Sequence, residues 1–390
     1  MKGLLEILAS LGSLKEPAVL ATLVRVKGSS YRKPGARMVM RSGGGRTGVI
    51  SAGCLEADLQ ARVATVLGQG IPQLAAFDLG SELDLIWGTG MGCQGRADVL
   101  LEAMSPGVVA PWMTLCTQLL EGRRAGVLAT VFAVRGDSAL VKAGDHFVLD
   151  CAGPGLLPPT GAFADLLSAA LHQALTQGST ISRTLPAGAG EVDLLIEPIL
   201  PVFALWIFGA GEHAQPLARL AKELGWFLGI VDHRPALATK ERFPEADRIV
   251  LGHPPASLQG LPLDGRSAAL VVSHVFDKDR QAVAALLQQP LAYLGLQGNR
   301  TRCARILQEL QDEGLVLTEA QRQIMHFPAG LDIGAESPEA IALSMLAEIQ
   351  ATFSQHAGGS LRDRSGSIHG PGRAATPEPA ALAGNGTTEP

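Results

Sequence analysis

The chain has 390 residues, 37 acidic against 32 basic side chains, a formal net charge of −5 and five cysteines. A mildly acidic chain of this length is not a nucleic-acid binder as a whole, and it is long enough for two or three domains with their own cores. The odd cysteine count, without zinc-type Cys-x-x-Cys pairs, argues against a disulfide framework and a structural metal site, and reduced thiols in a cytoplasm are the expectation.

The opening MKGLLEILASLGSLKE has Glu6 inside its apolar run and no small-residue cleavage pattern. It reads as an amphipathic helix through Leu4, Leu5, Leu8 and Leu11 rather than as a signal peptide. AVLATLVRV then has the β-branched character of a buried strand, and ARMVM and GVISAG read as two more, separated by a glycine turn at 43–45. A helix is expected over 56–68, which puts Cys54 where a strand gives way to a helix N-terminus, a place that stabilises a thiolate or an anion. A second glycine-rich stretch, WGTGMGCQGRADVLLE, carries Cys93 into a strand near 97–102. The longest uncharged stretch, 103–120, is broken by Pro106 and Pro111 and is shorter than the roughly 20 apolar residues that span a bilayer, so no membrane segment is expected.

Between 105 and 200 the strand-like LATVFAVRG and ALVKAGDHFVL, a Pro/Gly break at 153–159, a helix near 163–177 and the strand VDLLIEPI carry no chemical motif. From 205 onward the pattern alternates: LWIFGAG, a helix to Leu224, FLGIVD, RIVL, AALVVSH, a helix near 279–289, LAYLGL and a helix over 338–353. Such alternation predicts a parallel doubly wound sheet. Residues 358–390 are rich in Gly, Ser, Pro, Ala and Thr and read as disordered. The expected fold class is α/β, an N-terminal mixed α/β domain followed by a C-terminal Rossmann-like doubly wound parallel sheet. Its expected parts are 1–104, 105–200 completing the first domain, 201–353, and a tail over 354–390.

Seven basic residues, Arg25, Lys27, Arg32, Lys33, Arg37, Arg41 and Arg46, precede Cys54 with no acid between, interleaved with glycines that end at Gly53. Cations and backbone amides in that density suit a phosphate, pyrophosphate or oxyanion, with a solvated basic face as the bland alternative. Arg32, Arg37 and Gly53 are the candidate binding residues. Cys54 and Cys93 each sit in a glycine-rich turn, and soft thiolates there suit molybdenum, copper(I), zinc or a persulfide sulfur. Cys116, Cys151 and Cys303 lack such a context and read as structural. Glu56 reads as an acid/base or, on local grounds, as a first-turn carboxylate of its helix.

Gly209-Ala210-Gly211-Glu212-His213-Ala214 follows a strand, opens a helix and precedes Asp232 at the end of the next strand. That is the context of a dinucleotide fingerprint: Gly209 for the turn, Gly211 for a pyrophosphate, Ala214 for helix packing, Asp232 for a ribose hydroxyl. The same glycines also serve close packing. With His233 and Arg234 behind the acid, NAD and NADP are not distinguished. His213, and His274 with Asp277, fall near the carboxyl ends of strands, as site-lining groups or as locally satisfied polar residues.

The blocks ATLVRVKGSSYRKPGARMVM, GVISAGCLE, WIFGAGEHAQPLARLA, GIVDHRP, VVSHVFDKD, AYLGLQGNRTR and GLDIGAESPEAIALSMLAEI resemble, in order, the XdhC/CoxI family of molybdenum-hydroxylase accessory proteins. Two departures from the family pattern are Ala52 before Gly53 and Gln94 between Cys93 and Gly95. The resemblance implies a cytoplasmic chaperone that binds molybdenum cofactor, supports its sulfuration and inserts it into a hydroxylase such as xanthine dehydrogenase, by handover rather than steady turnover. It further implies an apo molybdenum hydroxylase, a cysteine desulfurase and molybdenum-cofactor biosynthesis proteins as partners, and a homodimer. Cys54 and Cys93 would contact molybdenum or carry sulfur, with Glu56 nearby, while the Rossmann domain would hold a nucleotide, NAD(P) or nothing. The competing readings are an NAD(P)-dependent oxidoreductase and a persulfide sulfurtransferase acting through Cys54.

Overall fold

The computed structural model describes residues 2–28, 32–51, 53, 55–78, 95–137, 140–158 and 160–364. The chain divides into two compact units, Met1–Val202 and Phe203–Pro390.

In the first unit, α1 (Lys2–Gly12) leads into β1 (Ala18–Gly28), β2 (Arg37–Arg41), β3 (Arg46–Gly48), α2 (Glu56–Gln69), β4 (Gln73–Asp78) and β5 (Gly95–Met104). The strands form one antiparallel sheet in the order β3-β2-β1-β5-β4. Then α3 (Pro111–Glu121), β6 (Gly126–Arg135), β7 (His146–Asp150), α4 (Ala162–Gln177), β8 (Ile181–Ala187) and β9 (Gly190–Ile199) build a second sheet, β7-β6-β9-β8. Sequence periodicity did not mark α3, whose apolar run is also free of charge; Pro111 at its first turn starts it, and Trp112, Met113, Cys116, Leu119 and Leu120 form its buried face.

These two halves are copies of one another. AVLATLVRVKG in β1 answers GVLATVFAVR in β6, KPGARMVM answers KAGDHFVL, and GRADVLLEAM in β5 answers GEVDLLIEPI in β9. Each long strand breaks register at the matching place, between Leu23 and Arg25 and between Val131 and Ala133. The helices α2 and α4 both end on a left-handed glycine, Gly70 and Gly178. β1 is buried on both faces through Val24: one face packs with α2 residues Leu59, Val63 and Val66, and the other meets α1, α3 and the second sheet. β6 repeats this with α4 residues Leu167, Leu171 and Ala174. Burying such side chains is worth about 1.5–3 kcal/mol each before entropy is charged against it. The copies also exchange polar contacts. Arg37 in β2 binds Glu197 in β9, and His146 in β7, at the matching position, meets Glu102 in β5 at 2.8 Å.

In the second unit, β10 (Ala204–Phe208), α5 (Ala214–Glu223), β11 (Phe227–Asp232), β12 (Arg248–Leu251), β13 (Ser267–Val271), α6 (Phe276–Leu286), β14 (Tyr293–Leu296), α7 (Arg300–Asp312), α8 (Glu319–Ile324), β15 (Met325–His326) and α9 (Pro338–Phe353) follow in turn. The six strands are parallel, in the order β12-β11-β10-β13-β14-β15. Helices α5 and α9 cover one face, α6 and α7 the other. This is the doubly wound sheet expected from the alternating pattern, and with the antiparallel sheets of the first unit the chain is α/β as anticipated.

Gly229 of β11 lies opposite Trp206 of β10, and a Cβ there would fall within the indole ring's own volume. Trp206 is fully buried and has no room to yield. A Gly229→Ala substitution is expected to lower stability by about 1–3 kcal/mol or more, read as a shifted urea midpoint; an unchanged midpoint would contradict the packing described.

Two local readings are corrected. The strand expected over GVISAG stops at Gly48, because the amides of Ile50 and Ser51 donate to the Glu56 carboxylate rather than to a ladder. The strand expected over ALVKAGDHFVL shortens to His146–Asp150, since Gly144 turns with φ 86° just before it. Of the expected tail, 365–390 lie outside the described residues, and Leu361–Asp363 form a single helical turn.

Candidate functional site

The entrance to α2 is organised by one carboxylate. Glu56, 5% exposed, accepts from Ser51 N at 2.7 Å, from Ile50 N at 3.3 Å and from Ser51 Oγ. Ser51 Oγ in turn accepts from Gly53 N at 3.2 Å and Leu55 N at 3.1 Å. Gly53 turns with φ 115°, a conformation that favours glycine. Burial pushes the Glu56 carboxyl up, but the hydrogen bonds from Ser51, its own backbone and Ile50 outweigh it and hold the group below the usual range. Glu56 is therefore an ionised brace for the 50–55 turn, not a proton donor waiting at neutral pH. Cys54 and Cys93, with Ala52 and Gln94, lie outside the described residues.

Chain connections place the neighbours of both cysteines toward one end of the first sheet. β1 finishes at Gly28 opposite Gly95, the first residue of β5. β4 follows α2 after a short turn and so runs back along it, ending at Asp78 opposite Arg96. The N-terminus of α2 thus points toward the end where β1 and β4 finish and β5 begins.

The basic segment is compensated, but by carboxylates remote in sequence. Arg37, 6% exposed, grips Glu197 with both terminal nitrogens, at 3.0 and 2.5 Å. Arg25 binds Asp193 at 2.9 Å and Asp98 at 3.5 Å. Arg41 donates to Ser10 Oγ at 3.1 Å. Arg37 is thereby engaged in the core, while Lys27, Arg32 and Arg46 remain exposed. Lys27 lies near the end of β1, opposite Arg96; Arg46 pairs with Met40 toward the other end of the sheet.

The other thiols are not activated. Burial pushes Cys116 up to about 12 and raises Cys303, and burial followed by Asp150 raises the exposed Cys151. Among the described residues no group of His, Cys, Asp and Glu is placed to hold a metal ion, and no helix is long and apolar enough to cross a membrane.

In the second unit, Gly209 closes a tight turn with φ 122°, and a Cβ there would strike the backbone of Ser273. Gly211 faces open space, and Ala214 is buried against the sheet. Asp232 is 3% exposed and accepts from Ala210 N at 2.6 Å and from Arg234 through N, Nε and Nη2 at 2.8, 2.9 and 2.7 Å. Burial opposes ionisation, but the contacts from Arg234 and Ala210 win and hold Asp232 at about 2. The acid expected to face a ribose instead ties the glycine turn to Arg234.

Where the strand order reverses, between β10 and β13, the rings of His213 and His274 stand 5.2 Å apart. A second carboxylate near His274 is Asp279: it is fully buried, accepts from Ser273 Oγ and pairs with Arg302 at 2.7 Å. A separate small pocket, with room for about one water molecule, lies at the ends of β10, β11 and β12, lined among others by Gly209, Asp232, His233, His253, Ser273 and Lys278. Gln297, His253 and Arg302 carried no sequence signal, because their proximity arises only when loops after different strands converge.

Residues 13–78 match the XdhC and CoxI family, and residues 205–349 match the XdhC Rossmann domain. The chain is 33% identical over 341 residues to a probable xanthine dehydrogenase subunit of Bacillus subtilis, covering 87% of this chain and 94% of that one. It is 23% identical over 333 residues, 85% of this chain and 82% of the other, to the molybdenum cofactor insertion chaperone PaoD of Escherichia coli. A crystal structure of a xanthine dehydrogenase from Bacillus halodurans superposes with a TM-score of 0.70 at 27% identity, over 92% of this chain and 98% of that one.

Proposed function

The chain belongs to the XdhC and CoxI family, and from that premise we propose that it is a maturation factor that carries molybdenum cofactor to a molybdenum hydroxylase such as xanthine dehydrogenase. The relative named as a molybdenum cofactor insertion chaperone supports the cargo. The observation that carries the reading in this chain is the Glu56–Ser51 brace, which shapes the turn holding Gly53 and Leu55 at the start of α2. The sequence inserts Cys54 between those two residues. A thiol at a helix N-terminus ionises more readily than an isolated one, and a thiolate is a soft ligand suited to molybdenum or to transferable sulfur.

The exposed Lys27 and Arg32 are the cations left to meet the anionic phosphate of the pterin, since Arg25 and Arg37 are neutralised from across the fold. Cys93 is assigned as a second contact. The reading also assigns an apo molybdenum hydroxylase as recipient, a cysteine desulfurase as source of terminal sulfur, cofactor-biosynthesis proteins as donors, a cytoplasmic location and a homodimer. An NAD(P)-dependent oxidoreductase is less well supported, because Asp232 is already engaged by Arg234 and Ala210.

The deciding experiment is Cys54→Ala in the full chain, assayed for co-purified molybdenum and pterin and for activation of the apo-hydroxylase. Activation is expected to fall to background while the circular dichroism spectrum is retained; activation at the wild-type level would remove the thiol from the mechanism.

A further inference from the structure

Segments that follow three neighbouring strands of the second unit, β10, β13 and β14, bring together His213, His274 and Gln297. The imidazoles of His213 and His274 stand 5.2 Å apart between ring centres, and their planes are inclined at 57°, so the pair is not a stack. His274 adopts φ 61°, a left-handed backbone uncommon outside glycine, to occupy this place. Gln297, 7% exposed, brings the nitrogen of its amide to 3.5 Å from His213 Nδ1 and also reaches His274. The amide oxygen is buried without a hydrogen-bond partner among the described residues. Buried polar groups of this kind persist where something outside the chain completes them.

The chemistry of the missing partner follows from the donors. Burial, then His213, hold His274 below its ordinary value and leave its imidazole neutral at neutral pH. A neutral imidazole offers a nitrogen lone pair, and the Gln297 oxygen offers another. Two imidazoles bound to one tetrahedral ion at roughly 2.0–2.1 Å place their ring centres about 5 Å apart, which is the spacing found. A half turn about the last side-chain bond of Gln297 exchanges the ends of its amide and sets oxygen rather than nitrogen beside His213. The guanidinium of Arg302 is nearby, but buried Asp279 neutralises it at 2.7 Å. No three side chains among His, Cys, Asp and Glu gather around an ion site in the described residues, so the third protein donor here is the amide.

We propose that His213, His274 and Gln297 bind a divalent transition-metal ion of the zinc or nickel kind, with water filling its remaining coordination positions. Two imidazole nitrogens suit such ions, whereas magnesium and calcium take oxygen donors. The bound ion joins the segments after β10, β13 and β14 and gives the amide oxygen of Gln297 the partner that the chain does not supply. The proposal is independent of the thiol site in the first unit.

Calorimetric titration of the chelator-stripped full chain with zinc chloride tests it, in a Cys54→Ala, Cys93→Ala background that removes competing thiols. That chain is expected to bind one zinc ion with a Kd at or below about 10 µM. Adding His213→Ala, or His274→Asn, which keeps a residue that tolerates the left-handed backbone, should weaken binding at least about tenfold. Gln297→Glu puts a charged oxygen where the neutral one stands and should tighten zinc at least about fivefold. A damaged fold does not produce such a gain. Cobalt titrated in place of zinc should give the visible bands of a bound ion without thiolate charge transfer in the near ultraviolet. Absence of zinc binding at about 100 µM, a thiolate band with cobalt, undiminished affinity in both histidine variants, or no tightening in Gln297→Glu would overturn the proposal.

Discussion

Glu197→Ala is expected to cost about 3–5 kcal/mol of stability, measured by urea unfolding, because it strands a buried guanidinium. Arg37 lies 6% exposed, and its two terminal nitrogens both point at Glu197. Without the carboxylate, the guanidinium keeps one hydrogen bond, from Nη1 to Gly35 O at 3.0 Å, and only the weaker attraction of Glu102. Replacing both partners, Arg37→Met with Glu197→Leu, should recover most of the loss, since no charge is then left unpaired. The matching substitution in the other copy, Glu102→Ala, is expected to cost less, about 1–3 kcal/mol. An imidazole, unlike a guanidinium, has a neutral form, and His146 stays stacked on Trp112 at 4.4 Å and within reach of Thr130 Oγ1 at 3.1 Å. Equal losses at the two positions would show that the charge of Arg37 is not what matters.

The second large effect is a pH-dependent one at Asp232. An unfolded aspartate titrates near about 3.9, whereas the folded group is held at about 2, burial being outweighed by Arg234 and Ala210. A depressed folded value means that the group's stabilisation is complete above the unfolded value and disappears as pH falls through the folded one. Asp232→Asn should therefore lower stability by about 1–2 kcal/mol at pH 7, with the gap from wild type closing between about pH 4 and pH 2. Urea midpoints at pH 7 and pH 3 decide it. A gap of the same size at both would assign the loss to packing and not to charge.

What was legible in the sequence follows from how local each signal is. The doubly wound half announced itself through short apolar strands alternating with helices, and Gly209, Gly211, Ala214 and Asp232 fall where the fingerprint puts them. Their contacts were not legible, because whether Asp232 faces a ligand or Arg234 depends on a rotamer set by tertiary packing. The basic run misled in a similar way. Arg25 and Arg37 look uncompensated along the chain, yet their counterions Asp98, Asp193 and Glu197 arrive from strands about 70 to 170 residues later. Glu56 was readable as a first-turn carboxylate, and its capture of Ser51 explains both the early end of β3 and the shape of the turn. The duplication of the first unit is hard to see along the chain because most of its matches are conservative exchanges within buried strands, separated by connections of unequal length.

That duplication supplies the first unit with an internal control. Residues 188–189 join β8 to β9 by a two-residue hairpin, where the other copy inserts 79–94 between β4 and β5. Packing alone is satisfied by the shorter version, so the added length and Cys93 within it answer to something other than holding a sheet together. The same subtraction can be run position by position. At Val39 and Val148, or Leu59 and Leu167, the two copies present the same apolar job in the same setting, and any difference in the substitutions they tolerate measures the selection that binding places on one copy alone.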